Sequence, residues 1–67
     1  LHIQLEVTGA LTIEVKDING KSTGIMFNEN ADGLFQQDLN LSSLSPGIYF
    51  VSVIADGKVM TQRIVKQ

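Results

Sequence analysis

Apolar and polar residues alternate along most of this 67-residue chain. A period of two is typical of β-strands with one buried face, because successive side chains point to opposite faces of a sheet. No stretch has apolar residues at the three- and four-residue spacing of a helix over a useful length. The pattern predicts short strands at 1–7, 11–16, 21–28, 35–41, 48–55 and 58–66.

Asn19-Gly20 predicts a two-residue hairpin turn, because both residues tolerate the positive φ that such turns require. Pairing outward from this turn sets Ile13 opposite Met26 and leaves Ile25 and Phe27 on the exposed face. We therefore expect a bulge that turns these two apolar side chains inward.

Asp56-Gly57 predicts a second two-residue turn. Pairing outward from it sets Met60 opposite Val53 and Ile64 opposite Tyr49. The strand that enters this turn, 48–55, is the most apolar of the chain. We expect it to be covered on both faces for part of its length.

Short strands separated by frequent turns predict an all-β fold, a small antiparallel Ig-like or fibronectin-type β-sandwich of about six to seven strands. We expect a single domain over 1–67. A Leu-x-Pro-Gly-x-Tyr corner is typical of such sandwiches, and there the hydroxyl of Tyr49 would bond to the backbone of 42–47. The residues predicted to be buried are Leu11, Ile13, Val15, Leu39, Leu41, Tyr49, Val51 and Val53.

The composition narrows the class of protein. Charged residues are only 18% of the chain, which argues against disorder, and there is no cysteine for a disulfide or a thiolate metal site. A net charge of −2 argues against a nucleic-acid partner, which needs a basic face. The longest apolar run, 48–51, is far below the ~20 residues that span a bilayer, so we expect no transmembrane segment.

Catalytic chemistry has little support. The one histidine, His2, lies on the polar parity of its strand, and the acidic residues show no spacing that marks a catalytic pair. The stretch 28–33 resembles half of a calcium loop, but Asn28 replaces the first Asp and Leu39 stands where a bidentate Glu is required. We expect a polar loop there, no enzyme activity, no catalytic residue, no metal site and no cofactor.

Several motifs occur in a fixed order: Asp17-Ile18-Asn19-Gly20-Lys21, then Leu44-Ser45-Pro46-Gly47-Ile48-Tyr49, then Asp56-Gly57-Lys58, then Arg63-Ile64-Val65-Lys66-Gln67. Over essentially all 67 residues this set resembles the C-terminal sorting domain (type A) of the type IX (Por) secretion system of Bacteroidetes. An aromatic-Pro-Asn-Pro element that usually precedes the first strand is missing. We attribute this to truncation, and expect the chain to come from the C-terminus of a larger secreted protein.

The resemblance implies a folded secretion signal that directs its parent protein through the periplasm and across the outer membrane, to the medium or the cell surface. The implied partners are the outer-membrane translocon, a shuttle protein and, in relatives, a sortase that cleaves the domain and anchors the parent. The residues it assigns to signal recognition are Gly47, Tyr49, Lys58, Arg63, Ile64, Val65, Lys66 and Gln67. The alternative is an accessory or spacer module of a surface enzyme or adhesin, with weak carbohydrate binding.

Overall fold

The computed structural model describes all residues, 1–67, and is entirely β. Its strands are β1 (His2–Asp17), β2 (Ser22–Asp38), β3 (Gly47–Ala55) and β4 (Lys58–Lys66). They form one antiparallel sheet in the order β2-β1-β3-β4, so β2 and β4 are the edge strands. The structure contains no helix that could cross a membrane.

Four long strands replace the six to seven that the sequence predicted. The first two predicted strands are joined in β1, and the predicted loop 28–33 lies inside β2, where Asn30 pairs with Ala10 and Asp32 with Thr8. The prediction of a loop was wrong because backbone pairing with β1 outweighs the local preference of Asn, Asp and Gly for turns. In an extended strand alternate side chains face opposite ways, so this stretch cannot wrap a calcium ion as a loop would.

The β1–β2 hairpin is bent back on itself. A straight strand of 16 residues would measure ~53 Å, whereas the longest dimension of the molecule is 34 Å. Glycines lie on both strands at the bend, Gly9 with φ 106° and Gly33 with φ 109°, and residues other than glycine rarely adopt these angles. The bend divides β1 into an N-terminal half, 2–8, and a C-terminal half, 10–17.

The two halves of β1 have different neighbours. Only the C-terminal half pairs with β3, from Leu11 opposite Ala55 to Asp17 opposite Tyr49. The N-terminal half pairs with β2 alone and folds over β3 and β4, so that Leu5 packs against the same core as Val53. The sheet therefore encloses its own apolar face.

The turn at 17–21 differs from the two-residue hairpin that was predicted. Asp17 N–H donates to the Lys21 carbonyl at 2.8 Å and Gly20 N–H donates to the Asp17 carbonyl at 2.9 Å, which closes a three-residue loop. The Asp17 carboxylate accepts further bonds from the N–H groups of Asn19 and Lys21, both at 2.9 Å. These bonds favour the longer turn, because the side chain satisfies two backbone donors that the loop leaves unpaired.

The predicted bulge is present. The register shifts between Glu14 and Lys16, and Ile13 pairs with Phe27 instead of Met26. The shift adds two residues to β2 and so keeps each side chain on its own face. Ile25 and Phe27 lie half-buried against the core because the loop at 18–20 has three residues instead of the predicted two. The Asp56-Gly57 turn is also confirmed: Ala55 pairs directly with Lys58, and φ is positive at both turn residues, 53° and 72°.

The core lies between the folded halves of the sheet. Seven of the eight predicted core residues are buried, and Leu41 is half-buried because it follows the end of β2. The complete core is Val7, Leu11, Ile13, Val15, Leu39, Tyr49, Val51, Val53 and Ala55.

Candidate functional site

The strand β4 forms one open edge of the sheet. In an antiparallel ladder hydrogen-bonded pairs alternate with non-bonded pairs, and the pair that closes a two-residue turn, Ala55 and Lys58, is a bonded one. Every second residue of β4 from Lys58 onward is therefore in a bonded pair, so the even-numbered residues direct their backbone groups to β3. The residues that direct N–H and C=O outward to the open edge are therefore Val59, Thr61, Arg63 and Val65.

The side chains of β4 divide between two faces. Even-numbered residues face the core side, and Ile64, opposite Tyr49, is half-buried there. Odd-numbered residues face the outside, where Arg63 stands opposite Phe50 and Val65 stands opposite Ile48. The outer face is apolar as well as basic, since Val59 is 65% exposed and Val65 is 60% exposed.

Tyr49 stabilises the corner, residues 42–47, that leads into β3. Its hydroxyl donates to the Ser45 carbonyl at 2.5 Å, and its ring is buried. The sequence placed this acceptor in the range 42–47, and the structure confirms it. Gly47 begins β3 and pairs with Lys66, which puts the corner beside the end of β4.

Lys66 connects the end of β4 to the same corner through a hydrogen bond. Its Nζ donates to the Leu44 carbonyl at 2.7 Å, and the residue is half-buried. Leu44 N–H in turn donates to the Leu41 carbonyl at 3.0 Å, which holds the corner in a turn. The sequence did not reveal the role of the Leu44 carbonyl, because no pattern in the corner marks a backbone acceptor for a lysine 22 residues away.

The structure brings together only part of the predicted site. Gly47, Tyr49, Ile64, Val65 and Lys66 lie on three successive pairs of the β3–β4 ladder, whereas Lys58 lies at the far end of β4. Gln67 follows the strand and is exposed. The outward backbone groups of Val59 and Thr61 were missed, although counting residues from the Asp56-Gly57 turn identifies them.

The positive charges of β4 have no carboxylate partners. The ion pairs of the structure are His2 with Asp38 at 2.7 Å and Lys16 with Glu14 at 3.6 Å. Lys58 and Arg63 are exposed, and β4 contains no acidic residue. This edge can therefore present basic side chains beside unpaired backbone groups.

No three His, Cys, Asp or Glu side chains lie close enough together to hold a metal ion. His2 bonds to Asp38 in the first pair of the β1–β2 ladder, where both side chains are largely exposed.

Comparison with known proteins identifies the family. No curated protein and no solved structure matches the chain. The family model described as "Secretion system C-terminal sorting domain" matches residues 1–67, the whole chain. This family indicates a C-terminal signal for type IX secretion, and export to the cell surface or the medium. The four-stranded domain with its exposed basic edge therefore belongs to the C-terminal sorting domains of the type IX secretion system.

Proposed function

We propose that β4 is the part of this sorting domain that the secretion machinery reads, by adding a strand of its own to the open edge. The observation that carries this proposal is the row of outward backbone groups at Val59, Thr61, Arg63 and Val65 on an edge strand. Main-chain bonds to an edge strand provide affinity, and the flanking side chains provide specificity.

The side chains around this edge favour an acidic, partly apolar acceptor. Lys58 and Arg63 carry positive charge without an internal partner, and Val59 and Val65 are exposed on the outer face. Complementary charge on the receptor would speed encounter and select against wrong partners. The receptor is the outer-membrane translocon or its shuttle protein.

The corner supports β4 as a folded signal. The bonds from Tyr49 to Ser45 and from Lys66 to Leu44 both end on the segment between β2 and β3. They hold the end of β4 next to β3, so the edge is ordered before a receptor arrives. A pre-ordered edge costs less conformational entropy on binding than a disordered tail would.

The proposal also covers the role of the fold and the route that the parent protein takes. The domain acts as a non-catalytic signal, its doubled-back sheet supplies an Ig-like two-layered support, and the parent protein travels through the periplasm. After export, a sortase removes the domain and joins the parent protein to the cell surface.

The test is export of a reporter in a bacterium that has type IX secretion. The domain is fused to the C-terminus of a periplasmic reporter, and Thr61→Pro is introduced. Proline at this position removes an outward N–H and no backbone bond to β3, because Thr61 forms a non-bonded pair with Ser52. It also removes the 3.5 Å contact between the hydroxyls of Thr61 and Ser52. We expect the reporter to remain in the periplasm.

Asn28→Pro is the matched control. Asn28 lies on the other edge strand, in a non-bonded pair with Thr12, so the substitution likewise removes one outward N–H. It also removes one side-chain bond, which Thr12 Oγ1 donates to Asn28 Oδ1 at 2.8 Å. This fusion should be exported as the unsubstituted one is, and circular dichroism should show both variants folded. Normal export of the Thr61→Pro fusion would show that the edge of β4 is not read and would favour the accessory-module alternative.

Deleting Val65, Lys66 and Gln67 gives a coarser test of the same strand. The deletion also removes the Lys66 bond to Leu44 and the pairing of Gly47, so loss of export has meaning only if the shortened domain stays folded.

A further inference from the structure

The two edge strands of the sheet carry opposite charges. The charged residues of β2 are all acidic and those of β4 are all basic: Glu29, Asp32 and Asp38 against Lys58, Arg63 and Lys66. Asp38 pairs with His2, and Lys66 donates to the Leu44 carbonyl, so one charge on each strand is engaged within the chain. The other two charges on each strand have no internal partner.

The strand β2 also presents unpaired backbone groups. Leu1 and Leu39 exchange two backbone bonds, of 2.7 and 3.2 Å, and the register that follows from this pair runs without a shift as far as Met26. Odd-numbered residues of β2 in this range therefore bond to β1, and even-numbered residues direct their N–H and C=O groups away from it. Between the bulge and the bend these residues are Met26, Asn28 and Asn30. Because β2 pairs with β1 alone, their backbone groups lie on an open edge.

Apolar side chains flank both open edges on the outer face of the sheet. Met26 is 50% exposed, and it faces outward because its neighbours Ile25 and Phe27 pack against the core. Val59 and Val65 of β4 are exposed on the same outer face. Joining β2 to β4 would bring these side chains together and remove part of their surface from water.

Charge selects which edges can join. Two copies that paired through β4 would set a basic strand beside a basic strand, and two that paired through β2 would set an acidic strand beside an acidic one. Like charges on neighbouring strands are destabilising, whereas opposite charges stabilise the pair. Only the pairing of β2 with β4 brings opposite charges together. The partner that fits the edge of β2 is therefore a second copy of this chain, which offers a basic strand with open backbone groups.

We propose that β2 of one copy pairs with β4 of the next, so that copies of this chain associate head to tail in a continuous sheet. The two edges lie at opposite sides of the sheet, so each bound copy leaves one edge free for another. The contact uses the same edge of β4 as the proposed receptor. It depends on the chain alone, however, so it stands or fails independently of the proposed function.

The test is the mass of the purified 67-residue chain in sedimentation equilibrium, at concentrations from about 10 μM to about 1 mM. We expect the average mass to rise with concentration above that of one chain and beyond that of two, because the contact does not close. Raising the ionic strength to about 1 M should weaken the association, since salt screens the exposed charges.

Asn28→Pro and Thr61→Pro separate the two edges. The first substitution removes an outward N–H from β2 and the second removes one from β4, so each variant keeps one intact edge. Each variant alone should associate about tenfold more weakly than the original chain. An equimolar mixture should form pairs of chains with the original affinity, because Thr61→Pro supplies the intact β2 and Asn28→Pro supplies the intact β4.

Glu29→Lys and Arg63→Glu apply the same logic without changing the backbone. Both residues are exposed, and each substitution alone should weaken association about tenfold by placing like charges at the contact. Mixed together, the two variants should associate through the unchanged β2 of one and the unchanged β4 of the other. Glu6→Lys is the matched control, because it makes the same change of charge at an exposed position of β1, and it should associate as the original chain does.

Several results would overturn the proposal. The mass of a single chain at every concentration would show that the edges do not join. Association that survives in Asn28→Pro and is lost in Thr61→Pro would mean that β4 pairs with β4, and the reverse result would mean that β2 pairs with β2. Mixtures that associate no more than their separate components would also contradict it. If circular dichroism shows a proline variant to be unfolded, the charge variants decide the matter by themselves.

Discussion

At the scale of single residues, Tyr49 combines burial with a directed bond. Its ring is one of the nine core side chains, and its hydroxyl reaches the carbonyl of Ser45 four residues earlier. A tyrosine suits this place because the ring fills the core while the hydroxyl satisfies a backbone acceptor at the corner. Lys66 makes the matching bond from the other strand, to Leu44.

Tyr49→Phe tests the hydroxyl alone. The ring remains, so the loss should be that of one hydrogen bond, about 1 kcal/mol of unfolding free energy. Urea unfolding followed by far-ultraviolet circular dichroism measures it. Unchanged stability would mean that the bond to Ser45 contributes nothing to the fold.

Val51→Ala and Val59→Ala test burial with the same chemical change. Val51 is 4% exposed and Val59 is 65% exposed on the neighbouring strand. The buried substitution should lower the unfolding free energy by about 1–3 kcal/mol because it leaves a cavity, and the exposed one by less than about 0.5 kcal/mol. Equal losses in urea unfolding would contradict the assignment of the core face.

At the scale of elements, the bend of the β1–β2 hairpin determines the shape of the molecule. Gly9 and Gly33 allow two long paired strands to reverse over a few residues, so one hairpin supplies strands to both sides of the core. The bend also ends the pairing of β1 with β3, which leaves one edge of residues 2–8 unpaired beside an open groove lined by residues 1–5, β3 and β4. The Asp56-Gly57 turn has no such effect, and β3 and β4 stay paired along their length.

Gly33→Ala should strain the bend without any steric clash. An added Cβ would meet no atom within 4 Å, so the cost comes from φ of 109° and should be about 1–3 kcal/mol in urea unfolding. Ala31→Gly, two residues earlier on the same strand, is the control and should cost no more than about 1 kcal/mol. A Gly33→Ala variant as stable as the original chain would show that the bend does not depend on glycine.

At the scale of the whole molecule, all strands share one core. Val7, Leu11 and Val53 belong to the same cluster although they come from both halves of β1 and from β3, and Ile64 of β4 packs against it. No part of the sheet has a core of its own. A chain of this size has little surface to bury, so loss of one strand should expose the remaining core residues to water.

We therefore predict a single cooperative unfolding transition. Tyr49 is the only tyrosine and there is no tryptophan, so its fluorescence reports the β3 corner, while far-ultraviolet circular dichroism reports the whole sheet. The two denaturation curves should coincide. Separate midpoints would show that the bent hairpin and the β3–β4 pair unfold independently.

Local chemistry alone determined much of this protein. The alternation in 48–55 and the Asp56-Gly57 turn predicted the register of β3 and β4, because a two-residue turn and a buried face permit only one pairing. Alternation along the whole chain predicted the all-β class and seven core residues, and the Leu-x-Pro-Gly-x-Tyr corner predicted the Tyr49 bond. The ordered motifs identified the sorting-domain family.

Tertiary structure decided the rest. Residues 28–33 have the composition of a loop, yet they extend β2 because β1 offers them backbone partners. The three-residue turn at 18–20 depends on where the Asp17 carboxylate points, which residue type alone does not reveal. The Lys66 bond to Leu44 forms because the pairing of Gly47 with Lys66 places the corner beside the end of β4. The open groove between residues 1–5 and the β3–β4 pair exists because the hairpin bends at Gly9 and Gly33. Periodicity carries no information about such contacts between distant segments.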